Sequence, residues 1–263
     1  MVQPSPRPVD RIDTSGLFSP SDVEALNARY AGASAQDILR AVLIDGVAGR
    51  VALVSSFGAE SAVLLHLAAQ IDPALPVLFL ETGKHFAETL AYRDALAERL
   101  GLTGVMSLTP DAEVIAKRDE AGLRWSYDPD GCCEIRKVIP LAKALADFEG
   151  TISGRKGFQS STRTGIPAFE LDQTDSAGRI KVNPLASWSA EQIAAYFSEH
   201  ALPPHPLVAQ GYPSIGCSPC TSKVAPGEDP RSGRWRGWDK TECGIHVPGA
   251  AEDDLPPGFE PAF

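Results

Sequence analysis

The sequence predicts an α/β fold, with a parallel, twisted sheet, helices on both of its faces and an irregular C-terminal tail. Three short apolar runs, at residues 50–56, 76–82 and 104–110, each precede a stretch of helical periodicity. Such alternation is typical of buried parallel strands joined by crossover helices. The chain of 263 residues, 43% of them hydrophobic, is long enough to bury the core of such a sheet.

Further elements flank this alternation. Ser19 and Pro20 predict the start of a short helix, because serine caps helix N-termini and proline suits the first turn. Ser189 and Gln192 have the spacing of a capping box, which predicts a helix over residues 187–200. Residues 130–148 are predicted to be mostly helical, with Pro140 as a kink or break. The remaining predicted elements are a helix at 35–44 and strands at 151–153, 169–172 and 180–183.

Charge and hydropathy exclude several classes of function. The net charge of −10 and a pI near 5.0 argue against a binder of nucleic acid or of membrane surfaces. No apolar run approaches the roughly 20 residues that cross a bilayer. The N-terminus is polar and rich in proline, with no pattern of a signal peptide, so we expect a cytoplasmic protein whose thiols stay reduced. Clustered cysteines in such a protein more often bind metal or do chemistry than form disulfides.

Two loops after predicted strands are candidate anion sites. Residues 55–61, SSFGAES, join a strand to a helix, so backbone N–H groups and the helix dipole favour an anion there. Neither common glycine-rich nucleotide motif has this spacing, and a tight turn of small residues is the structural alternative. In residues 154–163, Arg155, Lys156 and Arg163 are able to converge on phosphate or sulfate oxygens; the alternative is a solvated loop.

The five cysteines divide into four and one. Cys132 and Cys133 are adjacent, and Cys217 and Cys220 form a C-x-x-C pair, which together supply four thiolates for Zn²⁺ or for a [4Fe–4S] cluster. The adjacent pair favours iron–sulfur, because relaxed tetrahedral zinc sites use spaced pairs. Cys243 is left over in a tail of low apolar content, beside basic residues that favour a thiolate, and is a candidate nucleophile.

These motifs resemble the assimilatory adenylyl-sulfate reductases, in the wider phosphoadenylyl-sulfate/adenylyl-sulfate reductase family. The segments that carry the resemblance occur in the same order from about residue 50 to residue 246: SSFGAES, ETGKHFAET, CCEIRK, GRKGFQSSTR, GCSPCTSKV, GEDPRSGRW and ECGIH. The resemblance implies an adenine-nucleotide α-hydrolase-like fold with a PP-loop. Because SFGAES replaces the SGGxDS of ATP pyrophosphatases, ATP cleavage is not expected.

The resemblance also implies a reaction and a set of site residues. Cys243 attacks the sulfur of adenylyl sulfate, AMP leaves, and thioredoxin or glutaredoxin reduces the enzyme thiosulfonate to release sulfite. His246 supports the nucleophile, and the four paired cysteines hold a [4Fe–4S] cluster. The residues expected to bind substrate are Ser55, Ser56, Gly58, Glu81, Thr82, Gly83, Lys137, Arg155, Arg163, Arg231 and Arg234. Residues 1–18 then form a flexible lead-in, 19–210 the nucleotide-binding reductase domain, and 211–263 the cluster-bound segment with the catalytic cysteine.

Three alternatives stay open at the level of sequence. The four-cysteine set accompanies adenylyl sulfate use in the family, but the 3′-phosphorylated substrate, or both, remains an alternative. A PP-loop ATP pyrophosphatase is a second enzyme class, distinguished by release of pyrophosphate from ATP. A nucleotide sensor with a structural zinc site is a non-enzymatic third, distinguished by metal analysis. Monomer and homo-oligomer are both compatible with the sequence.

Overall fold

The computed structural model describes residues 17–159, 163–174 and 177–245, and six strands of this part form one sheet in the order β3-β2-β1-β4-β6-β5. The strands are β1 Val51–Val54, β2 Val77–Leu80, β3 Val105–Leu108, β4 Gly150–Ser153, β5 Phe169–Leu171 and β6 Ile180–Val182. All pairs are parallel except β5 with β6, which is antiparallel. The predicted α/β fold is confirmed. The edge strand β5 differs in direction, because the short connection to β6 leaves no room for a crossover helix.

Two helices begin at the serine caps that the sequence predicts. Ser19 caps α1 and Ser189 caps α8, and each forms a complete capping box, with Asp22 and Gln192 respectively. Both predicted starts are therefore confirmed. The helices are α1 Pro20–Arg29, α2 Ala35–Leu43, α3 Ser61–Ala69, α4 Ala87–Leu100, α5 Ala112–Arg118, α6 Pro129–Cys133, α7 Ile139–Leu145 and α8 Ala190–Glu199.

Pro140 does not break the helical run that contains the adjacent cysteines. The segment Glu134–Val138 is a π-helix between α6 and α7, and Pro140 lies in the first turn of α7. Proline lacks the N–H group that a regular α-helical turn would use, and a single wider turn accommodates this loss. The run from Cys132 to Leu145 therefore stays helical, with its wide turn next to the cysteines.

The sheet buries side chains on both faces, as the apolar runs predict. Val51 and Leu53 of β1 face a core built with α2, α3 and α4. Ala52 faces the opposite side, where it joins Leu141 and Leu145 of α7. Alternate residues of one strand thus meet helices on different faces. No helix among the described residues is long and apolar enough to cross a membrane.

The C-terminal segment has little regular structure of its own. Within residues 211–245, regular elements are limited to the short 3₁₀ turn Ser218–Cys220 and one bridge between Thr221 and Arg234. Ile245 packs against the smaller core beside α7. Side-chain contacts with the sheet domain, rather than a separate core, hold this segment in place.

Candidate active site

A cleft of about 430 Å³ lies beyond the carboxyl ends of β1 and β4. Ligands of open α/β sheets bind at this edge. Three parts of the chain form most of its lining: the loop after β1, the loop after β4, and residues 213–245 of the tail. The tail forms one wall, so a ligand in the cleft touches both the sheet domain and the segment that carries Cys243.

The loop after β1 is held by its own hydrogen bonds and by packing, and the Gly58 N–H donates to the Ser61 hydroxyl at 2.9 Å. The Ser55 hydroxyl accepts a hydrogen bond from the Phe57 N–H at 3.1 Å. Phe57 has a φ of 47° and is fully buried against Phe79, so packing holds this unusual backbone. A Cβ on Gly58 would lie 3.2 Å from the Ser56 hydroxyl, which favours glycine there. Ser55, Ser56 and Gly58 all line the cleft.

The loop after β4 is fixed to Glu60 at the start of α3. Lys156 Nζ donates to Glu60 Oε2 at 2.9 Å, and Gln159 Nε2 donates to the same oxygen at 2.8 Å. Burial lowers the pKa of Lys156, although Glu60 opposes this effect. The predicted residue Arg155 lines the cleft, but its guanidinium is paired with Glu170. Residues 160–162 lie outside the described part of the chain.

An arginine pair at the cleft is bound by a carboxylate from the tail. Arg163 Nε and Nη2 donate to the two oxygens of Glu242, at 3.0 and 2.9 Å. Arg231 Nη2 lies 3.6 Å from Glu242 and donates to the Thr241 carbonyl at 2.8 Å. Burial lowers the pKa of Arg163, although Glu242 opposes this effect. Both predicted anion-binding arginines are therefore at the cleft, with an internal carboxylate between them.

Arg234 lies deeper in the cleft, against the tail's aromatic residue. Its guanidinium carbon is 4.4 Å from the ring centre of Trp235, which is a cation–π contact. A Cβ on Gly216 would collide with the guanidinium, so glycine is needed for this approach. The Arg234 Nε atom is buried and has no hydrogen-bond partner in the described part of the chain. Arg234 thus retains a donor that is not satisfied by the protein residues described.

The four paired cysteines meet at one small cavity behind the cleft. Cys132 and Cys133 reach it from α6, and Cys217 and Cys220 from the 3₁₀ turn of the tail. The lining is otherwise apolar or cationic, and its other members are Lys84, Trp125, Pro129, Arg136, Lys137, Pro219 and Trp235. All five cysteines are free thiols in the structure. The donor set fits a thiolate-bound group that would join the tail to α6.

The electrostatics of these thiols differ from one another. Burial raises the pKa of Cys133 and of Cys220 to about 11. Burial alone would raise the pKa of Cys217 as well, but Lys137 and the Thr82 hydroxyl, 3.3 Å from its sulfur, lower the pKa below its ordinary value. Without a metal, most of this set therefore stays protonated. Coordination deprotonates a thiol outright, which would balance the cations around the cavity.

The spacing of the thiols bears on the kind of metal group. Among the described residues, no three His, Cys, Asp or Glu side chains are arranged around a single metal ion. Four thiolates on one zinc ion would each lie about 2.3 Å from it, whereas a [4Fe–4S] cluster binds one thiolate per iron. Within the described residues, the structure therefore shows four thiols at one cavity and no site for a single metal ion.

Lys137 connects the cavity of the cysteines with the cleft, since it lines both. Burial by itself lowers the pKa of this lysine, but three neighbouring thiols raise it overall, so the ammonium form prevails. These thiols belong to Cys217, Cys243 and Cys133. The predicted residue Lys137 thus places a positive charge between the paired cysteines and the lone one.

Cys243 opens onto the cleft and is partly exposed. It interacts electrostatically with Lys137 and with Cys133. The next residue, Gly244, has a φ of 87°, and a Cβ there would lie 3.3 Å from Val138, so glycine permits this docking. The predicted supporting residue His246 lies outside the described residues.

Three predicted substrate residues lie away from the cleft lining. The Thr82 carbonyl accepts from Arg136 Nη1 at 2.8 Å, and the Thr82 hydroxyl contacts Cys217. Glu81 accepts from the Gly83 N–H at 3.0 Å. Thr82 thus contacts Arg136 and Cys217, while the second oxygen of Glu81 lies 3.7 Å from Arg93. The structure therefore brings Ser55, Ser56, Gly58, Lys137, Arg155, Arg163, Arg231, Arg234 and Cys243 together, but not Glu81, Thr82 and Gly83.

Two cleft residues were not singled out by the sequence patterns. Glu242 adjoins the candidate nucleophile, so its position in ECGIH was the available signal. His85 Nε2 donates to the Leu80 carbonyl at 2.8 Å, and its buried Nδ1 has no partner among the described residues. Burial lowers the pKa of His85, which keeps Nδ1 available as an acceptor at the cleft. No spacing pattern marks such a histidine.

Comparisons with known proteins agree with this site. The model of the phosphoadenosine phosphosulfate reductase domain matches residues 50–223. An adenosine 5′-phosphosulfate reductase of Mesorhizobium japonicum is 48% identical, over 93% of this chain and 94% of the relative. That of Rhodococcus opacus is 42% identical, over 86% and 95%.

Among solved structures, the phosphoadenylyl-sulfate reductase of Candida auris, in a phosphate complex, matches with a TM-score of 0.66 and 26% identity. The match covers 79% of this chain and 98% of that one. The similarity therefore extends through the sheet domain and, in the bacterial relatives, through most of the chain. This chain belongs to the phosphoadenosine phosphosulfate reductase domain family.

Proposed function

We propose that the chain reduces adenylyl sulfate to sulfite and AMP, as a step of sulfate assimilation towards cysteine. The observation that carries the proposal is a single cleft lined by the Cys243 thiol, the serine-rich loop after β1 and several cations. Relatives that are 48% and 42% identical bear the name adenosine 5′-phosphosulfate reductase, which supports the same substrate here. We place the reaction in the cytoplasm, where thiol reductants are available.

The cleft supplies separate contacts for the parts of the substrate. The loop of Ser55, Ser56 and Gly58 lines the cleft just before α3, where the positive end of the helix dipole favours an anion and no side chain caps the helix. Arg163 and Arg231 offer planar donors suited to phosphate or sulfate oxygens. In a chain of net charge −10, this local excess of cations favours an anionic ligand.

Cys243 would act as the nucleophile. Its thiolate forms a bond to the sulfur of the sulfate group, while the bond from that sulfur to the phosphate oxygen breaks and AMP leaves with the electron pair. The product on the protein is the thiosulfonate of Cys243. Lys137 and Arg234 lie at the same end of the cleft, where they offset the repulsion between a thiolate and an anionic substrate.

A dithiol protein such as thioredoxin or glutaredoxin would complete the cycle. One of its thiolates attacks the Cys243 sulfur, sulfite leaves, and a mixed disulfide forms. The second thiol of the reductant then releases Cys243. The dithiol supplies the two electrons and becomes a disulfide, which balances the reduction of the sulfate sulfur.

A [4Fe–4S] cluster held by Cys132, Cys133, Cys217 and Cys220 is part of the proposal. The support is chemical: four thiols from two distant segments share one cavity, and the cations Lys84, Arg136 and Lys137 line it. When bound, the cluster would supply a compact fixed charge beside Lys137 and a covalent link between the tail and α6. Iron and sulfide analysis of the purified protein tests this part.

Sulfite release from the two sulfonucleotides tests the function. Iron-replete protein with thioredoxin should convert adenylyl sulfate at least about 100-fold faster than the 3′-phosphorylated form, as expected when one charged group cannot be accommodated. Cys243→Ser should abolish release while AMP binding persists. Equal turnover of both substrates would instead identify a dual-specificity enzyme. Pyrophosphate release from ATP, with no reaction of adenylyl sulfate, would overturn the proposal.

A further inference from the structure

The carboxylate of Glu242 occupies the most basic part of the cleft. It accepts two hydrogen bonds from Arg163, at 3.0 and 2.9 Å, and lies 3.6 Å from Arg231. The side chains of Glu242 and Arg163 are only 11% and 10% exposed, so little water screens this pair. A planar carboxylate with two acceptor oxygens presents to a guanidinium the same geometry as two oxygens of a phosphate or sulfate.

The same contact positions the nucleophile. Arg231 Nη2 donates to the carbonyl of Thr241 at 2.8 Å, and Arg163 binds the side chain of the next residue, Glu242. Cys243 follows directly. Two arginines of the proposed anion site thus hold the residues that immediately precede the thiol, and any anion that takes these arginines must change the seating of Cys243.

We propose that Glu242 is a positioning residue that acts as an internal stand-in for the oxyanion of the substrate. Its carboxylate docks the tail on Arg163 and Arg231 until a nucleotide oxyanion displaces it. Because one anion replaces another, Arg163 and Arg231 have an anionic partner both before and after the exchange. Cys243 changes its position only when the substrate binds. This inference rests on the proposed function for the identity of the substrate, but not for the exchange itself.

Binding of nucleotides that differ only in their oxyanions tests the exchange. ADP carries two consecutive oxyanion groups, and adenosine carries none. In calorimetry, Glu242→Gln should raise the affinity for ADP about tenfold, because the competing charged partner is lost. Its affinity for adenosine should stay within about twofold of the wild type. Unchanged or weaker ADP binding would overturn the proposal, because a residue that merely shapes the site would weaken binding on removal.

Glu228→Gln is the matched control. Glu228 lies on the same segment and pairs with Arg236 at 3.2 Å, but this pair is exposed and away from the cleft. Removal of its charge changes the net charge equally and should leave both affinities unchanged. A gain in ADP affinity equal to that of Glu242→Gln would show a general charge effect and would contradict local competition.

Amide hydrogen exchange of the wild-type protein gives a second reading that needs no variant. ADP should accelerate exchange at residues 241–243, because their docking contacts are lost, while adenosine should not. Slower exchange with ADP would contradict displacement. Neither measurement requires turnover: absent sulfite release would refute the proposed function alone, whereas unchanged ADP binding by Glu242→Gln, in an enzyme that produces sulfite, would refute this inference alone.

Discussion

Two arginine–carboxylate ion pairs, one behind the cysteines and one in the cleft, differ in whether their carboxylate is able to move away. Arg136 pairs with Asp119 at 2.6 Å behind the cysteines, and Arg163 pairs with Glu242 in the cleft. The Asp119 carboxylate is 1% exposed and belongs to the sheet domain, whereas Glu242 is 11% exposed and belongs to the tail. The first pair is locked between packed elements. The second has one partner that can move away and a ligand of like charge to replace it.

Removal of the Asp119 carboxylate should therefore destabilise the protein more than removal of the Glu242 carboxylate. This is the largest difference that we expect between the two pairs. Asp119→Asn leaves the buried Arg136 without a counter-charge and should lower the free energy of unfolding by about 3–5 kcal/mol. Glu242→Gln should lower it by only about 1–2 kcal/mol, because the tail that carries the carboxylate can move away and let water reach Arg163. Urea denaturation of the two variants checks the comparison. Equal losses would mean that the cleft pair is also structural.

The next effect is the pH dependence of the free energy of unfolding, which we attribute to His205, a residue of neither ion pair. His205 is 1% exposed, its Nδ1 accepts from the Leu207 N–H at 3.2 Å, and burial lowers its pKa to about 4. The unfolded chain takes up this proton near pH 6.5, but the folded protein does not until about pH 4. Stability should thus fall as the pH drops from about 6.5 to about 4, by about 3 kcal/mol in total.

Thermal unfolding at several pH values separates this effect from the cleft. His205→Asn should flatten the acid limb of the stability profile, because the group whose pKa differs most between the folded and the unfolded chain is then absent. A wild-type limb that persists in His205→Asn would assign acid sensitivity to other groups. The loss of folded protein below about pH 6 would then have a cause other than the protonation of His205.

Lys137 should show a smaller effect, in catalysis rather than in stability. It lies between the two ends, so Lys137→Met removes the charge that faces the thiols while it keeps the length of the side chain. Sulfite release should fall about 100-fold, and AMP affinity should change less than about threefold. Lys143→Met on the exposed side of α7 is the control and should be silent. A large loss of AMP affinity would instead make Lys137 a ground-state binding residue.

The fold was predictable because its signals are local. The apolar run at residues 50–56 predicts β1. The strand forms at Val51–Val54, where the chain pairs with β2 and with β4. Its ends are shorter because Ser55 and Ser56 already turn into the cleft loop. The direction of β5 was not predictable from its own residues, because it depends on the length of the link to β6.

The site was predictable in its residue types but not in its pairings. Cysteine spacing identifies Cys217 and the basic loop identifies Arg163, whereas Lys137, and the roles of all three, come from the family resemblance. The pair of Arg163 with Glu242 joins residues 79 positions apart, so no local pattern reveals it. Glu81, Thr82 and Gly83 were expected to bind substrate, but the buried side chain of Arg136 donates to the Thr82 carbonyl.

The central proposal is that Cys243, and none of the four paired cysteines, takes up the sulfur of the substrate. Mass spectrometry of the protein after reaction with adenylyl sulfate, without reductant, tests it directly. We predict one added SO₃ group per chain, on the peptide that contains Cys243, with one equivalent of AMP released. Added thioredoxin should then remove the group as sulfite. An adduct on Cys132, Cys133, Cys217 or Cys220, or turnover with no adduct, would contradict the account.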